Sequence, residues 1–181
     1  MNQATLNRHL AALAERDPHI AAGIELVGKP KPRVRPQGLE TLLSIIAGQQ
    51  ISTEAAAAVM HRVRQCLPQM TAESLLDLPS GTLREAGFSN RKVEYAEGLA
   101  RAIVEGTLPL ARLTECDDEE AIDFITSLRG FGRWSAEIYL MFSLDRRDVF
   151  PADDLALLVA LQKLKRMRAR PTPKQARERI R

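Results

Sequence analysis

An acidic pair, Asp153-Asp154, is the feature of this 181-residue sequence whose chemistry is easiest to state. The pair follows the segment Asp148–Ala152 and comes directly before an apolar helical pattern that begins at Leu155. A carboxylate at the start of a helix is held rigidly, and the positive end of the helix keeps it ionised. Such acids are also common as simple helix caps. The pair therefore predicts a helix N-cap, a fixed negative charge that stabilises a cationic transition state, or both.

A glycine turn, Gly130-Phe131-Gly132, lies upstream of the acidic pair, between two helical patterns. Glycine tolerates a positive φ and close approach of another backbone, so this turn can expose consecutive N–H groups. Together with the positive N-terminal end of the next helix, those donors form an anion site. A DNA phosphate could bind there without any base being read. The alternative is an ordinary turn between helices with a glycine cap.

Helical periodicity dominates the elements that must position these residues, and no segment shows sustained alternation of apolar and polar residues. We therefore predict an all-α protein with about eight to ten short helices. The pairs Ser52-Thr53, Ser89-Asn90 and Asp117-Asp118 are predicted to cap or begin helices, and the proline-rich stretch 28–37 is predicted to be a loop. The strongly basic stretch 163–181 is either a solvated, frayed terminus or a phosphate-facing surface.

Composition narrows the class of protein only modestly. The sequence is 45% hydrophobic and 27% charged, as in ordinary globular proteins. It has no apolar run near the roughly 18 residues that span a membrane, and its N-terminus lacks a secretory pattern. The three histidines and two cysteines have no metal-ligand spacing. The net charge of +3 is weak evidence for a nucleic-acid partner.

Two segments resemble the helix-hairpin-helix (HhH-GPD) base-excision DNA glycosylases, in the 3-methyladenine DNA glycosylase II, or alkylpurine, branch. They are residues 128–136, Leu-Arg-Gly-Phe-Gly-Arg-Trp-Ser-Ala, and residues 150–154, Phe-Pro-Ala-Asp-Asp. A third match, residues 41–58, holds the loop Gly48-Gln49-Gln50-Ile51-Ser52. The resemblance implies one glycosylase unit over residues 1–181, with a cleft between two lobes. One lobe covers about 38–115, and the hairpin and catalytic lobe covers about 1–37 plus 116–181.

The implied activity is excision of alkylated purines, such as 3-methyladenine or 7-methylguanine, by base flipping and hydrolysis of the N-glycosidic bond. In this branch the catalytic acid is the second member of the pair, which points to Asp154 as the catalyst and to Asp153 as the structural cap. Trp134 stands where bifunctional relatives have a lysine. Without that amine no Schiff base can form, so no AP-lyase activity is expected.

The resemblance also implies roles for residues in the hairpin and the glutamine loop. Gln50, with Gln49 as the next choice, would fill the duplex gap left by the flipped nucleotide, although glutamines are also ordinary in a polar turn. The phosphate-binding hairpin would comprise Gly130, Phe131, Gly132 and Arg133. Backbone carbonyls of Thr126, Leu128 and Phe131 would hold a monovalent cation, Na⁺ or K⁺, and no other cofactor is expected.

Trp134 and Tyr139 are predicted to line the base pocket, with core packing as the alternative for both. We expect the partner to be double-stranded DNA with a damaged base, and the protein to be a monomer in the bacterial cytoplasm or a eukaryotic nucleus. Relatives continue beyond the equivalent of Arg179 with a tryptophan-rich helix, so we expect either a shortened chain or a more open pocket. The cysteine cluster of the endonuclease III branch is absent from the sequence.

Two other classes of function remain open at this stage. The first is a non-catalytic helix-hairpin-helix module that only binds DNA. It would have no use for Asp154, because a carboxylate near the DNA backbone is repelled. The second is an all-α protein-interaction domain, which gives no reason for the glycine turn and the acidic pair to occur together.

Overall fold

The structure, a computed structural model, describes residues 1–180, and its regular secondary structure in that range is helical, without strands. The predicted all-α class is confirmed. Eleven α-helices and a 3₁₀ turn (Arg112–Thr114) occur there, slightly more than predicted. The α-helices are α1 Gln3–Arg16, α2 Pro18–Val27, α3 Leu39–Gly48, α4 Thr53–Cys66, α5 Ala72–Leu76, α6 Thr82–Glu85, α7 Asn90–Val104, α8 Asp118–Thr126, α9 Arg133–Ser143, α10 Leu155–Leu164 and α11 Pro173–Arg179.

Local capping chemistry determines where most of these helices begin. The side chains of Ser52, Ser89 and Asp117 accept hydrogen bonds from backbone N–H groups in the first turns of α4, α7 and α8. All three belong to the pairs predicted to cap or begin helices, and those predictions are confirmed. The stretch 28–37 contains no helix, also as predicted. Among residues 1–180, no helix is both long and apolar enough to span a bilayer.

Helix α11 was not predicted. Thr172 accepts a hydrogen bond from the Gln175 N–H, and the Gln175 side chain accepts one from the Thr172 N–H, which makes a capping box. Ala176 is fully buried in the same cluster as Leu158 and Leu161 of α10. Residues 173–179 are therefore an ordered helix and not a frayed terminus.

Contacts divide the chain into two compact units. The central unit is Arg35–Val149, and the terminal unit combines Met1–Val34 with the residues from Phe150 onward. Residues 116–149, which the predicted lobes group with the two termini, belong to the central unit. The predicted cleft between lobes stays a prediction.

The central unit is built around a continuous apolar core. Helix α3 is almost entirely buried and contacts α4, α7 and α9. Leu42, Leu43 and Ile46 of this helix are completely inaccessible to solvent, as is Leu140 of α9. The hairpin and the glutamine loop thus begin from helices that share one core.

The terminal unit has a much smaller core, formed by Ala152, Leu158, Leu161 and Ala176. Helices α1 and α2 contribute no buried residue to it. Polar contacts supplement this packing: the Asp17 carboxylate caps α2 and also pairs with the Lys165 ammonium group at the end of α10.

Candidate nucleic-acid interface and catalytic carboxylate

The hairpin between α8 and α9 requires glycine at position 130. Gly130 has a φ of +96°, a conformation that side chains other than glycine rarely adopt. A Cβ atom there would lie 2.3 Å from the Tyr95 ring, which packs directly on the Gly130 backbone. The turn is completed by the Phe131 N–H, which donates to the Leu128 carbonyl at 3.1 Å.

Gly132 contributes in a different way. Its φ is −99°, which any residue can adopt, and a Cβ atom added to it would meet no neighbour. It is the N-cap residue of α9 and has no side chain to accept a hydrogen bond from the first turn. The N-terminal end of α9 therefore lacks a side-chain cap, which suits an anion ligand such as phosphate.

The Arg133 side chain has partners other than a phosphate. Its guanidinium donates to both carboxylate oxygens of Glu119, one of them at 2.9 Å, and its Nε donates to the buried Glu137 at 3.0 Å. The hydrogen bonds that Arg133 donates to Glu119 raise the pKa of Arg133 above its usual range. The predicted phosphate contact of Arg133 is thus left to its backbone N–H, because the side chain is held by two carboxylates.

The three carbonyls proposed to hold a monovalent cation lie at the end of α8 and in the turn. The Leu128 carbonyl accepts the Phe131 N–H, and one lone pair remains on its oxygen. Within residues 1–180, the carbonyls of Thr126 and Phe131 accept no backbone hydrogen bond. The donor chemistry fits Na⁺ or K⁺, and the cation stays a prediction.

The two glutamines of the loop between α3 and α4 have different environments. The Gln49 side-chain amide donates to the Gly130 carbonyl at 2.7 Å and so connects this loop to the hairpin. Gln50 is exposed and has a φ of +61°, one of few positive values among residues other than glycine. Gln50 is therefore the better of the two for insertion into DNA, since Gln49 is engaged within the protein.

Sequence reasoning missed Lys92, in the first turn of α7. Its ammonium group donates to the carbonyls of Ala47 and Gln49, both at 2.8 Å, at the C-terminal end of α3. Burial lowers the pKa of Lys92. A cation at a helix C-terminus is favourable, yet no local motif could reveal a contact across more than forty positions. Lys92 and Gln49 together fix the glutamine loop from two directions.

The two aromatic residues predicted to line a base pocket differ in accessibility. Trp134 is half-buried and packs at the edge of the central core. Tyr139 is only 1% exposed, and its hydroxyl accepts a hydrogen bond from the Gly38 N–H at 2.8 Å. Burial raises the pKa of Tyr139. Tyr139 is therefore a core residue that fixes the start of α3, which corrects its assignment to the pocket.

The acidic pair lies in the terminal unit, and its second member is the one that caps the helix. Asp154 is the N-cap of α10 and accepts a hydrogen bond from the Leu157 N–H at 3.0 Å. Asp153 forms an ion pair of 2.8 Å with Arg177 of α11. The prediction that Asp153 is the cap is wrong, because Asp154 is the residue directly before α10. The cap hydrogen bond fixes the Asp154 carboxylate, and the side chain is partly exposed to solvent.

Comparison with known proteins identifies relatives. Residues 43–181 match the family described as HhH-GPD superfamily base excision DNA repair protein. DNA-3-methyladenine glycosylase 1 of Schizosaccharomyces pombe is 33% identical over 171 residues, which cover 91% of this chain and 74% of that protein.

Solved structures agree with this match. The S. pombe 3-methyladenine DNA glycosylase in complex with abasic DNA has a TM-score of 0.84 and 30% identity, covering 92% of this chain and 84% of that one. A DNA-3-methyladenine glycosidase from Bacillus halodurans has a TM-score of 0.73 and 31% identity, covering 83% and 70%.

Proposed function

Because this chain belongs to the HhH-GPD superfamily of base excision DNA repair proteins, we propose that it is a monofunctional DNA glycosylase that excises alkylated purines from duplex DNA. The observation that supports this most directly is the Asp154 carboxylate, held at the N-terminus of α10 by the Leu157 N–H. Similarity to 3-methyladenine DNA glycosylases from a yeast and a bacterium supports the substrate class.

The reaction breaks the bond between C1′ of the deoxyribose and the nitrogen of the damaged base. Positive charge develops on the sugar in an oxocarbenium-like transition state, and the negative charge of Asp154 stabilises it. The electrons of the broken bond neutralise the cationic base, which leaves as a neutral purine, while water adds its hydroxyl to C1′ and releases its other proton to solvent. The products are a free purine and an abasic site in an intact strand.

Base flipping precedes this step and costs a few kcal/mol of stacking and pairing. In our proposal the exposed Gln50 side chain fills the gap in the duplex, and the uncapped N-terminus of α9 binds a backbone phosphate. Trp134 receives the flipped base. Bases such as 3-methyladenine and 7-methylguanine are cationic, so an indole face attracts them by about 0.5–2 kcal/mol.

Hydrolysis without strand cleavage follows from the hairpin sequence. Bifunctional relatives have a lysine at the position of Trp134, and an indole cannot form a Schiff base with the sugar. We propose that the protein acts as a monomer on damaged double-stranded DNA, in the bacterial cytoplasm or a eukaryotic nucleus. The DNA-bound S. pombe structure supports this partner.

The variant Asp154→Asn tests the proposal. Asparagine is as good an N-cap as aspartate, so this change removes the charge and keeps the cap. On a duplex with a single 7-methylguanine, we expect the single-turnover excision rate to fall on the order of 10²–10³-fold, with the melting temperature little changed. Abasic sites are quantified by alkaline cleavage of the labelled strand.

Asp153→Asn is the matched control. It removes the same charge next to Asp154 but breaks only the exposed ion pair with Arg177, so excision should remain near the wild-type rate. Equal excision by the wild type and Asp154→Asn would contradict the catalytic role of Asp154, and no excision by either would favour a module that only binds DNA.

A further inference from the structure

A basic groove lies in the terminal unit, between the end of α10, the following turn and α11. We call it the C-terminal groove. Its volume is about 640 Å³, within the range of ligand sites. Four of its lining residues are cationic, namely Lys165, Arg168, Arg170 and Arg179. Glu178 is the one acid that lines it.

The backbone that presents these cations is ordered. After α10 the chain reverses through Arg166, which has a φ of +50°, and the Met167 N–H donates to the Gln162 carbonyl at 2.9 Å. The capping box at Thr172 then fixes the start of α11, and Ala176 anchors that helix to α10. The arginines are therefore displayed on a structured surface, which limits the entropy that they lose on binding.

Most of this charge is not neutralised inside the protein. Lys165 pairs with Asp17. Arg168, Arg170 and Arg179 form no ion pair within residues 1–180. Like charges held together repel one another, and an anionic partner relieves that repulsion. The groove is thus complementary to a ligand with several negative charges.

We propose that the C-terminal groove binds phosphates of the duplex DNA backbone, as a second DNA contact besides the hairpin. The choice of DNA among polyanions rests on the proposed function. Guanidinium groups match phosphate oxygens in bidentate geometry, and the duplex presents about one negative charge per 1.7 Å. The hairpin binds phosphate through backbone N–H groups, whereas the groove uses the charged side chains of lysine and arginine. The groove therefore adds affinity for DNA that does not depend on base sequence or damage.

The double variant Arg168→Gln/Arg170→Gln tests this proposal through binding to an undamaged duplex, measured by fluorescence anisotropy over a range of KCl concentrations. Each phosphate contact contributes about 0.9 to the slope of log affinity against log salt concentration. We expect the slope to decrease by roughly 2 and the affinity at low salt to fall at least about tenfold. Arg8→Gln/Arg16→Gln, at exposed positions of α1, removes the same charge and should change neither quantity.

A groove variant that behaves like the α1 variant would overturn the proposal, even if the groove then proved to bind RNA or an acidic protein. The proposed function is tested separately by excision at saturating protein, where the groove variant should retain the wild-type rate. A wild type that excises nothing, with a reduced salt slope in the groove variant, would refute the glycosylase activity and leave the groove as a DNA contact.

Discussion

The central and terminal units hold their functional residues by different means. In the central unit, the hairpin and the glutamine loop extend from helices around one large core, with Leu42 and Leu140 fully buried. In the terminal unit, few side chains are buried, and large apolar residues such as Leu26 and Val27 are more than 80% exposed, at 85% and 81%. Asp154 is fixed there mainly by its own helix cap.

The two proposed tasks, binding DNA and holding a catalytic carboxylate, place different demands on the structure. In the proposed function, one loop binds a phosphate and the other inserts a side chain into the duplex, so the two loops need a fixed spacing. Tertiary contacts such as the hydrogen bond from Gln49 to the Gly130 carbonyl hold them at that spacing. A single carboxylate needs only a fixed orientation, which a local N-cap supplies. We therefore expect substitutions in the central unit to lower the free energy of unfolding more than substitutions that remove a charge in the terminal unit.

The largest effect is expected for Gly130→Ala. An alanine at positive φ costs roughly 1–2 kcal/mol, and its Cβ would overlap the Tyr95 ring, which adds about 1–3 kcal/mol. The free energy of unfolding should fall by about 2–5 kcal/mol in urea titrations followed by the fluorescence of Trp134. Gly132→Ala, in open space but at the N-cap of α9, should cost less, about 0.5–1 kcal/mol, because alanine is a poorer N-cap than glycine. Similar losses for both variants would show that the hairpin does not depend on the Tyr95 contact.

An intermediate effect is expected for Lys92→Met. This change leaves the carbonyls of Ala47 and Gln49 without their charged donor, and such losses cost about 1–3 kcal/mol. Because the glutamine loop would no longer be fixed, the single-turnover excision rate should fall as well. The exposed neighbour provides the control: Arg91→Met should preserve both stability and rate. If the two variants lose equal stability, the role of Lys92 as a positioning residue is incorrect.

The smallest effect is expected for Asp17→Asn in the terminal unit. The hydrogen bond from Lys165 lowers the pKa of Asp17 in the folded state, so its contribution is present above the unfolded pKa of about 3.9 and is lost as the pH falls through the folded value. The wild type should melt slightly above the variant at pH 7, and the difference should shrink steadily below about pH 4. Lys165→Gln should abolish the same pH dependence. A difference that persists unchanged in acid would exclude this ion pair as its source.

Local signals made much of the fold predictable. Ser52, Ser89 and Asp117 cap the expected helices because an N-cap depends on residues within one turn. The sequence Thr172-Pro173-Lys174-Gln175 is an equally local signal for α11, but the surrounding basic charge left a frayed terminus and a phosphate-facing surface equally open. The assignment of the cap to Asp153 came from the family resemblance, and local patterns rarely fix which of two adjacent residues is the cap.

Residues whose roles depend on distant partners could not be placed in advance. Tyr139 lies on a helix that has aromatic residues on more than one face, and only the packing of α3 shows that its hydroxyl meets Gly38. Two other contacts also join separate helices: Arg133 donates to Glu119, and Lys92 donates to a carbonyl at the end of α3. Side-chain type specifies what such groups can bind, and tertiary structure selects the partner.

The left-handed backbone of Gln50 has a consequence for how the protein would meet DNA. A non-glycine residue in this conformation carries strain on the order of 1–3 kcal/mol, which the surrounding structure must hold in place. The folded protein bears this strain at all times, with or without a ligand. A loop bent in advance loses little conformational entropy when its tip enters a duplex. Preorganisation at this one residue would thus shift part of the energetic cost of DNA recognition from the moment of binding to the moment of folding.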